Sequence, residues 1–108
     1  MFLYAYEFDS RAGEIRETAA EVRETEKTYK TTNGYIPGVY LSTVRKADLP
    51  YLNGNNYVST ERDPEAARKA FLDRAEYRYN AAVEEAERRK AEKNILENCP
   101  IRTEKGLS

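Results

Sequence analysis

Ser59-Thr60-Glu61-Arg62-Asp63-Pro64-Glu65-Ala66-Ala67 divides the chain into two kinds of sequence. Asp is a favoured N-cap because its carboxylate accepts hydrogen bonds from the first free backbone N–H groups. Pro at the next position is pre-set to the helical φ, and Glu65 stands at the positive end of the helix dipole. The stretch predicts a helix from Pro64 that runs to about Asn98, where Pro100 stops it. The residues before it alternate with a period of two or break at turn residues. The reading is α+β: an N-terminal antiparallel β-sheet followed by one long C-terminal α-helix. It is one domain, with sheet and loops over 1–60, the helix over 63–98 and a flexible tail over 101–108.

Working back from that boundary, the first strand is the clearest. Phe2, Tyr4, Tyr6 and Phe8 share one face of an extended segment, with Leu3, Ala5 and Glu7 on the other. Asp9 to Gly13 reads as a turn. Glu14 to Glu24 alternates less cleanly, because Ile15 is out of phase with Ala20 and Val22, and a bulge near Ala19 would reconcile them. Glu24 to Thr32 continues this strand or forms a third. Asn33-Gly34 is a hairpin signal, since a type I′ turn needs positive φ at both central positions. Pro37-Gly38 interrupts the return, which places the next strand at Val39 to Arg45. Lys46 to Asn56 reads as an ordered loop whose turn residues are Asn53-Gly54-Asn55-Asn56, and Tyr57 to Thr60 as a short edge strand.

A helix of about 35 residues is ~52 Å long, whereas a seven-residue strand spans ~23 Å, so the helix is expected to overhang its sheet. Its apolar stripe runs through Ala67, Phe71, Ala75, Tyr79, Ala82 and Ala86, gives way to Glu87-Arg88-Arg89-Lys90, and resumes at Ile95 and Leu96. The first half is expected to pack on the sheet. The second half is either a solvated helix propped by Glu84-Arg88 and Glu85-Arg89 pairs or a contact in a homo-oligomer that covers Ile95 and Leu96.

Composition narrows the function. Eighteen basic and nineteen acidic residues leave a net charge of −1 and are well mixed, so no broad basic surface exists for general nucleic-acid binding. Cys99 is the only cysteine and there is no histidine, which excludes an internal disulfide and removes the commonest general base and most zinc ligands. The expected protein is cytoplasmic, takes no cofactor or metal, makes no membrane contact and is not an enzyme. Met1 to Phe8 has no basic lead and is too short for a signal or membrane helix. Nine tyrosines and three phenylalanines supply enough buriable area for a folded core.

One helical constellation differs from its surroundings. Arg68 and Lys69 have Glu65, Arg88 has Glu84, Arg89 has Glu85, Lys90 has Glu87 and Lys93 has Glu97 at three or four positions, whereas no acid stands at that spacing from Arg74 or Arg78. Two guanidiniums four residues apart beside Phe71 and Tyr79 have the chemistry of a phosphate clamp with a stacking ring. The plainer alternative is that they pair with sheet carboxylates such as Glu17 or Glu21 or lie along the apolar stripe. Tyr35, Tyr40, Tyr51 and Tyr57, with Asn53, Asn55, Asn56 and Arg45, give the middle segment a recognition-loop composition, although sheet faces also favour tyrosine.

The tyrosine-rich sheet, the stretch Val22-Arg23-Glu24-Thr25-Glu26-Lys27-Thr28-Tyr29-Lys30 and the Ser59–Ala67 opening of a charged terminal helix resemble small proteins of phages and mobile elements in Gram-positive bacteria. In layout the chain is similar to the Thoeris anti-defence type 1 family, which sequesters cyclic nucleotide signals made by host immunity. The resemblance implies a non-catalytic sponge for a cyclic ADP-ribose isomer or a cyclic di- or oligonucleotide. Arg74 and Arg78 would then hold phosphates, with Asn56 and Tyr51 near the base or ribose. The alternative is an anti-CRISPR-like inhibitor that binds a host enzyme through the helix or a sheet edge.

Overall fold

The structure, a computed structural model, describes residues 1–103 and 106. The expected flexible tail over 101–108 lies in part outside the described residues. The chain forms two compact units, Met1–Arg74 and Ala75–Ser108.

The first unit holds six strands: β1 Phe2–Asp9, β2 Glu14–Glu24, β3 Thr28–Thr31, β4 Thr43–Arg45, β5 Tyr51–Asn53 and β6 Asn56–Ser59. They form one sheet in the order β4-β3-β2-β1-β6-β5, with every neighbouring pair antiparallel. The helix α1, Pro64–Asn98, follows as the α+β reading expects. Its cap is the expected one: the Ala66 N–H donates to Asp63 Oδ1 at 3.0 Å.

The two edge strands are joined by the five residues 46–50, which include a 3₁₀ turn over Lys46–Asp48. A flat six-stranded sheet would hold its edges ~24 Å apart, while this link, with three residues spent on the tight turn, reaches only ~16 Å. The sheet is therefore rolled. The consequence is visible in the packing: Val44 of β4 and Tyr51 of β5, from opposite edges, join one cluster with Leu3, Ala5, Val22, Tyr29 and Val58. The segment between β3 and β4 plugs the roll, placing Ile36 at 0% exposure in the same cluster with Val39 against it.

Several sequence expectations change. The register from Phe2↔Glu21 to Asp9↔Glu14 is unbroken, so β2 has no bulge near Ala19. Ile15 and Val22 are out of phase because both faces of the sheet are used: Val22 lines the roll, and Ile15 packs in a second cluster on the outer face with Tyr6, Tyr57, Ala67 and Phe71. Asn33-Gly34 does not close a two-residue hairpin; β3 and β4 pair across the whole 32–42 segment. The strand placed at Val39 to Arg45 shrinks to Thr43–Arg45, because Ile36 and Val39 gain more by entering the roll than by extending a ladder. Part of the expected loop 46–56 is β5, and its turn Gly54-Asn55 closes the β5–β6 hairpin with Asn53 opposite Asn56. β6 is an interior strand, since β5 covers the side on which it was expected to be an edge.

Only the start of α1 is buried: Ala67 and Phe71 pack in the outer cluster, whereas the stripe residues Ala75, Tyr79, Ala82 and Ala86 are exposed. In the second unit, Tyr77, Ile95 and Leu96 are likewise exposed. Glu85, rather than Glu84, takes Arg88, and it also accepts from Arg89 Nε at 2.9 Å. Such exposed pairs contribute little each.

Ile36 ties the 32–42 segment into the roll, so Ile36→Ala is expected to cost about 2–4 kcal/mol by opening a cavity among buried apolar groups, read as a lower denaturation midpoint at unchanged m. Gly38→Ala should also destabilise. Gly38 has φ +84°, and an added Cβ would stand 3.0 Å from Val58 Cγ2 and 3.3 Å from Asn56 Cβ.

Candidate functional site

The outer face carries a polar network that fixes where the helix begins. Tyr6 is 1% exposed, and its phenolic oxygen accepts from the Asp63 backbone N–H at 3.0 Å. Burial, and then a hydrogen bond to Glu17 and that carboxylate's charge, push the Tyr6 hydroxyl up to about 12. Glu17 also accepts from Arg62 Nε at 2.7 Å, and the hydrogen bonds from Arg62 and Tyr6 hold its carboxyl below the usual range. The chain just before Pro64 is thereby held on β1 and β2 by one phenol and one carboxylate.

The inner face ends in a different kind of chemistry. Period-2 alternation puts Leu3, Ala5 and Glu7 on one face of β1, and the ladder sets Arg16 and Asn56 on either side of Glu7. The apolar lining of the roll thus stops after one strand repeat, and a row of guanidinium, carboxylate and amide takes its place. This row borders a hollow of about 260 Å³ whose other lining includes Thr18, Gly38 and Tyr40. Tyr40 has φ +61°, a left-handed conformation that few bulky residues adopt. A second hollow of about 450 Å³ shares Glu7 and Asn56 and adds Ser10, Arg11 and Asn55 from the β1–β2 and β5–β6 turns.

Arg16 is held by carboxylates. Its Nε donates to Glu14 at 2.9 Å, its second terminal nitrogen donates to Asp9, and Glu7 lies at 3.5 Å. Hydrogen bonding to Glu14 and the charge of Asp9 strengthen its hold on its proton. Asp9 in turn accepts from the Arg11 and Ala12 backbone N–H groups at 3.0 and 3.1 Å, and these, the Ala12 bond foremost, together with Arg16 keep its carboxyl below the usual range. The turn and the guanidinium are thus fixed together.

Of the four residues expected to bind ligand, Asn56 lies in both hollows. Tyr51 is half-buried against the inner cluster two residues from Asn53 along the same hairpin, which makes its ring a packing element. Arg74 closes the first unit, with its guanidinium carbon 5.7 Å from the Phe71 ring centre, and Phe71 itself stands 6.1 Å from Phe8. Arg78 is exposed in the second unit. The sheet carboxylate Glu17, a suggested partner for these arginines, is bonded to Arg62. Glu7 and Arg16 are lining residues that sequence reasoning passed over, and Tyr40 was singled out only as one of the tyrosines of the middle segment. Register across β1, β2 and β6 brings Glu7, Arg16 and Asn56 together, and the segment between β3 and β4 adds Tyr40. Among the described residues no three His, Cys, Asp or Glu side chains are placed so that they could hold a metal ion, and no helix is long and apolar enough to cross a membrane.

Tyr6→Phe removes the acceptor for the Asp63 N–H and the donor to Glu17, and is expected to cost about 1–2 kcal/mol, or roughly 4–8 °C of melting temperature per kcal/mol. Glu17 binds its proton less tightly in the fold than at its ordinary value of 4.5, so its contribution is complete above that value and fades as the pH falls through the folded one. Thermal melts of Glu17→Gln should therefore lie below wild type at pH 7 and converge with it in acid.

Set against known protein families, curated proteins and solved structures, the chain matches none of them.

Proposed function

We propose that this chain binds and sequesters a nucleotide-derived immune messenger, a cyclic ADP-ribose isomer or a cyclic di- or oligonucleotide, without altering it chemically. The observation that carries this reading is the pair of adjoining hollows joined at Glu7 and Asn56. One offers an aromatic ring with hydroxyl, amide and carboxylate groups. The other adds the Ser10 hydroxyl and the Asn55 amide, with the Arg11 guanidinium and the Asp9 carboxylate together on its lining. A nucleotide brings a flat base and a hydroxylated sugar to such a lining of ring, hydroxyl, amide and carboxylate. The pairing of rings with a few convergent polar groups suits recognition, and sequestration needs nothing more than affinity.

A second reading is favoured by exposed apolar residues of the second unit, Tyr79 and Val83 one turn apart and Ile95 and Leu96 near the helix end, which suit contact with a protein partner or a second copy of the chain. On that reading the protein inhibits a host defence enzyme by contact.

Thermal unfolding in the presence of cyclic dinucleotides and cyclic ADP-ribose isomers separates the two. A ligand at a hundredfold excess over its dissociation constant should stabilise the protein by about 2.7 kcal/mol, and chromatography after incubation should recover it intact. Asn56→Ala should abolish the shift. A panel in which no compound raises the melting temperature overturns the messenger reading.

A further inference from the structure

The loop facing the inner hollow is built to hold one aromatic ring in place. The Ile36 N–H donates to Leu41 O at 2.8 Å, and Ile36 O accepts from Tyr40 N at 2.9 Å and from Val39 N at 3.2 Å. Residues 36–41 therefore form a closed hydrogen-bonded turn, anchored from below by the fully buried Ile36 and pressed against β6 at Gly38. At its crest Tyr40 takes φ +61° although glycine would meet that geometry without strain, and its side chain is 63% exposed. A large ring kept at a strained and exposed position gains nothing from burial. Strain of this kind persists where the surrounding structure over-determines it, and it gathers at ligand sites.

The charges around the ring restrict what can lie beneath it. Glu7, Asp9 and Glu14 all contact the guanidinium of Arg16 on the lining of this hollow and so already occupy its charge. A phosphate would have to displace these carboxylates to reach it. Glu7 touches Arg16 only at 3.5 Å, which leaves its carboxylate with acceptor capacity, while Thr18 and Asn56 offer hydroxyl and amide groups that both donate and accept. Acceptors for hydroxyl protons beside a fixed ring face suit an uncharged, hydroxylated ring, whose C–H face packs on the aromatic and whose hydroxyls bond to carboxylate and amide.

The geometry points to the hollow between β1, β2, β6 and the 36–41 turn as a sugar-ring subsite, with Tyr40 as its stacking platform and Glu7 and Asn56 as its hydroxyl readers. This rests on the messenger reading and gives the ribose of that ligand a place, with the phosphates outside the subsite.

The test is an amide chemical-shift titration of the full chain with adenosine and cytidine, with 2′,3′-dideoxyadenosine, and with inorganic phosphate. Both ribonucleosides should move the amides of Thr18, Gly38, Tyr40 and Asn56. The dideoxynucleoside should bind at least tenfold more weakly, and phosphate should leave these amides in place. Tyr40→Gly should melt no lower than wild type, since it relieves the φ strain, yet lose ribonucleoside binding at least tenfold, while Tyr40→Phe keeps it. Equal binding of the dideoxy compound, or movement of these amides by phosphate, overturns the subsite. If cyclic nucleotides stabilise the protein but ribonucleosides leave these amides unmoved, the subsite falls and the messenger reading stands. If neither binds, both fall.

Discussion

The five-residue connection between β4 and β5 is the constraint on which the first unit depends. It is too short to join the edges of a flat sheet of six strands, so the sheet must roll until Val44 and Tyr51, from opposite edges, share one apolar cluster. Rolling gives a chain of this size an enclosed apolar face that a flat sheet would have to find elsewhere. It also lets β1 bury side chains on both faces. Leu3 and Ala5 line the roll, and Tyr6 lies beneath the start of the helix.

The outer face is closed by a different means. Tyr6 is large enough to fill the space under Ala67 and Phe71 and long enough for its hydroxyl to reach the Asp63 backbone, where it satisfies an N–H close to the helix cap. Glu17 and Arg62 complete that network at its solvent side, where each pair by itself adds little. The helix start is therefore set twice, by the capping chemistry of Asp63-Pro64 and by a tertiary hydrogen bond. Agreement of local and tertiary preference is what makes this boundary so distinct.

The candidate site lies where the roll runs out of apolar residues. One step beyond Ala5 the inner face changes to Arg16, Glu7 and Asn56, a rung that no buried partner requires. The β1–β2 turn, held by Asp9, and the 36–41 turn, held by Ile36, stand at its border as rigid supports. A site supported in this way loses little conformational freedom when a ligand binds, which is the physical advantage of building it on closed turns.

By itself the sequence determined the elements whose signals are local. The β1 alternation, the Asp63-Pro64 cap, the stop at Pro100 and the Gly54-Asn55 turn depend on φ preferences and on nearest-neighbour hydrogen bonds. What the tertiary structure decided is everything that depends on pairing between distant residues. The roll, the two-sided use of β2 that made a bulge unnecessary, the interior position of β6, the assignment of Glu17 to Arg62 and the meeting of Glu7, Arg16 and Tyr40 all depend on strand order and loop reach. Those are set by the lengths of connections and by which apolar groups can be covered together, and no window of adjacent residues carries that information.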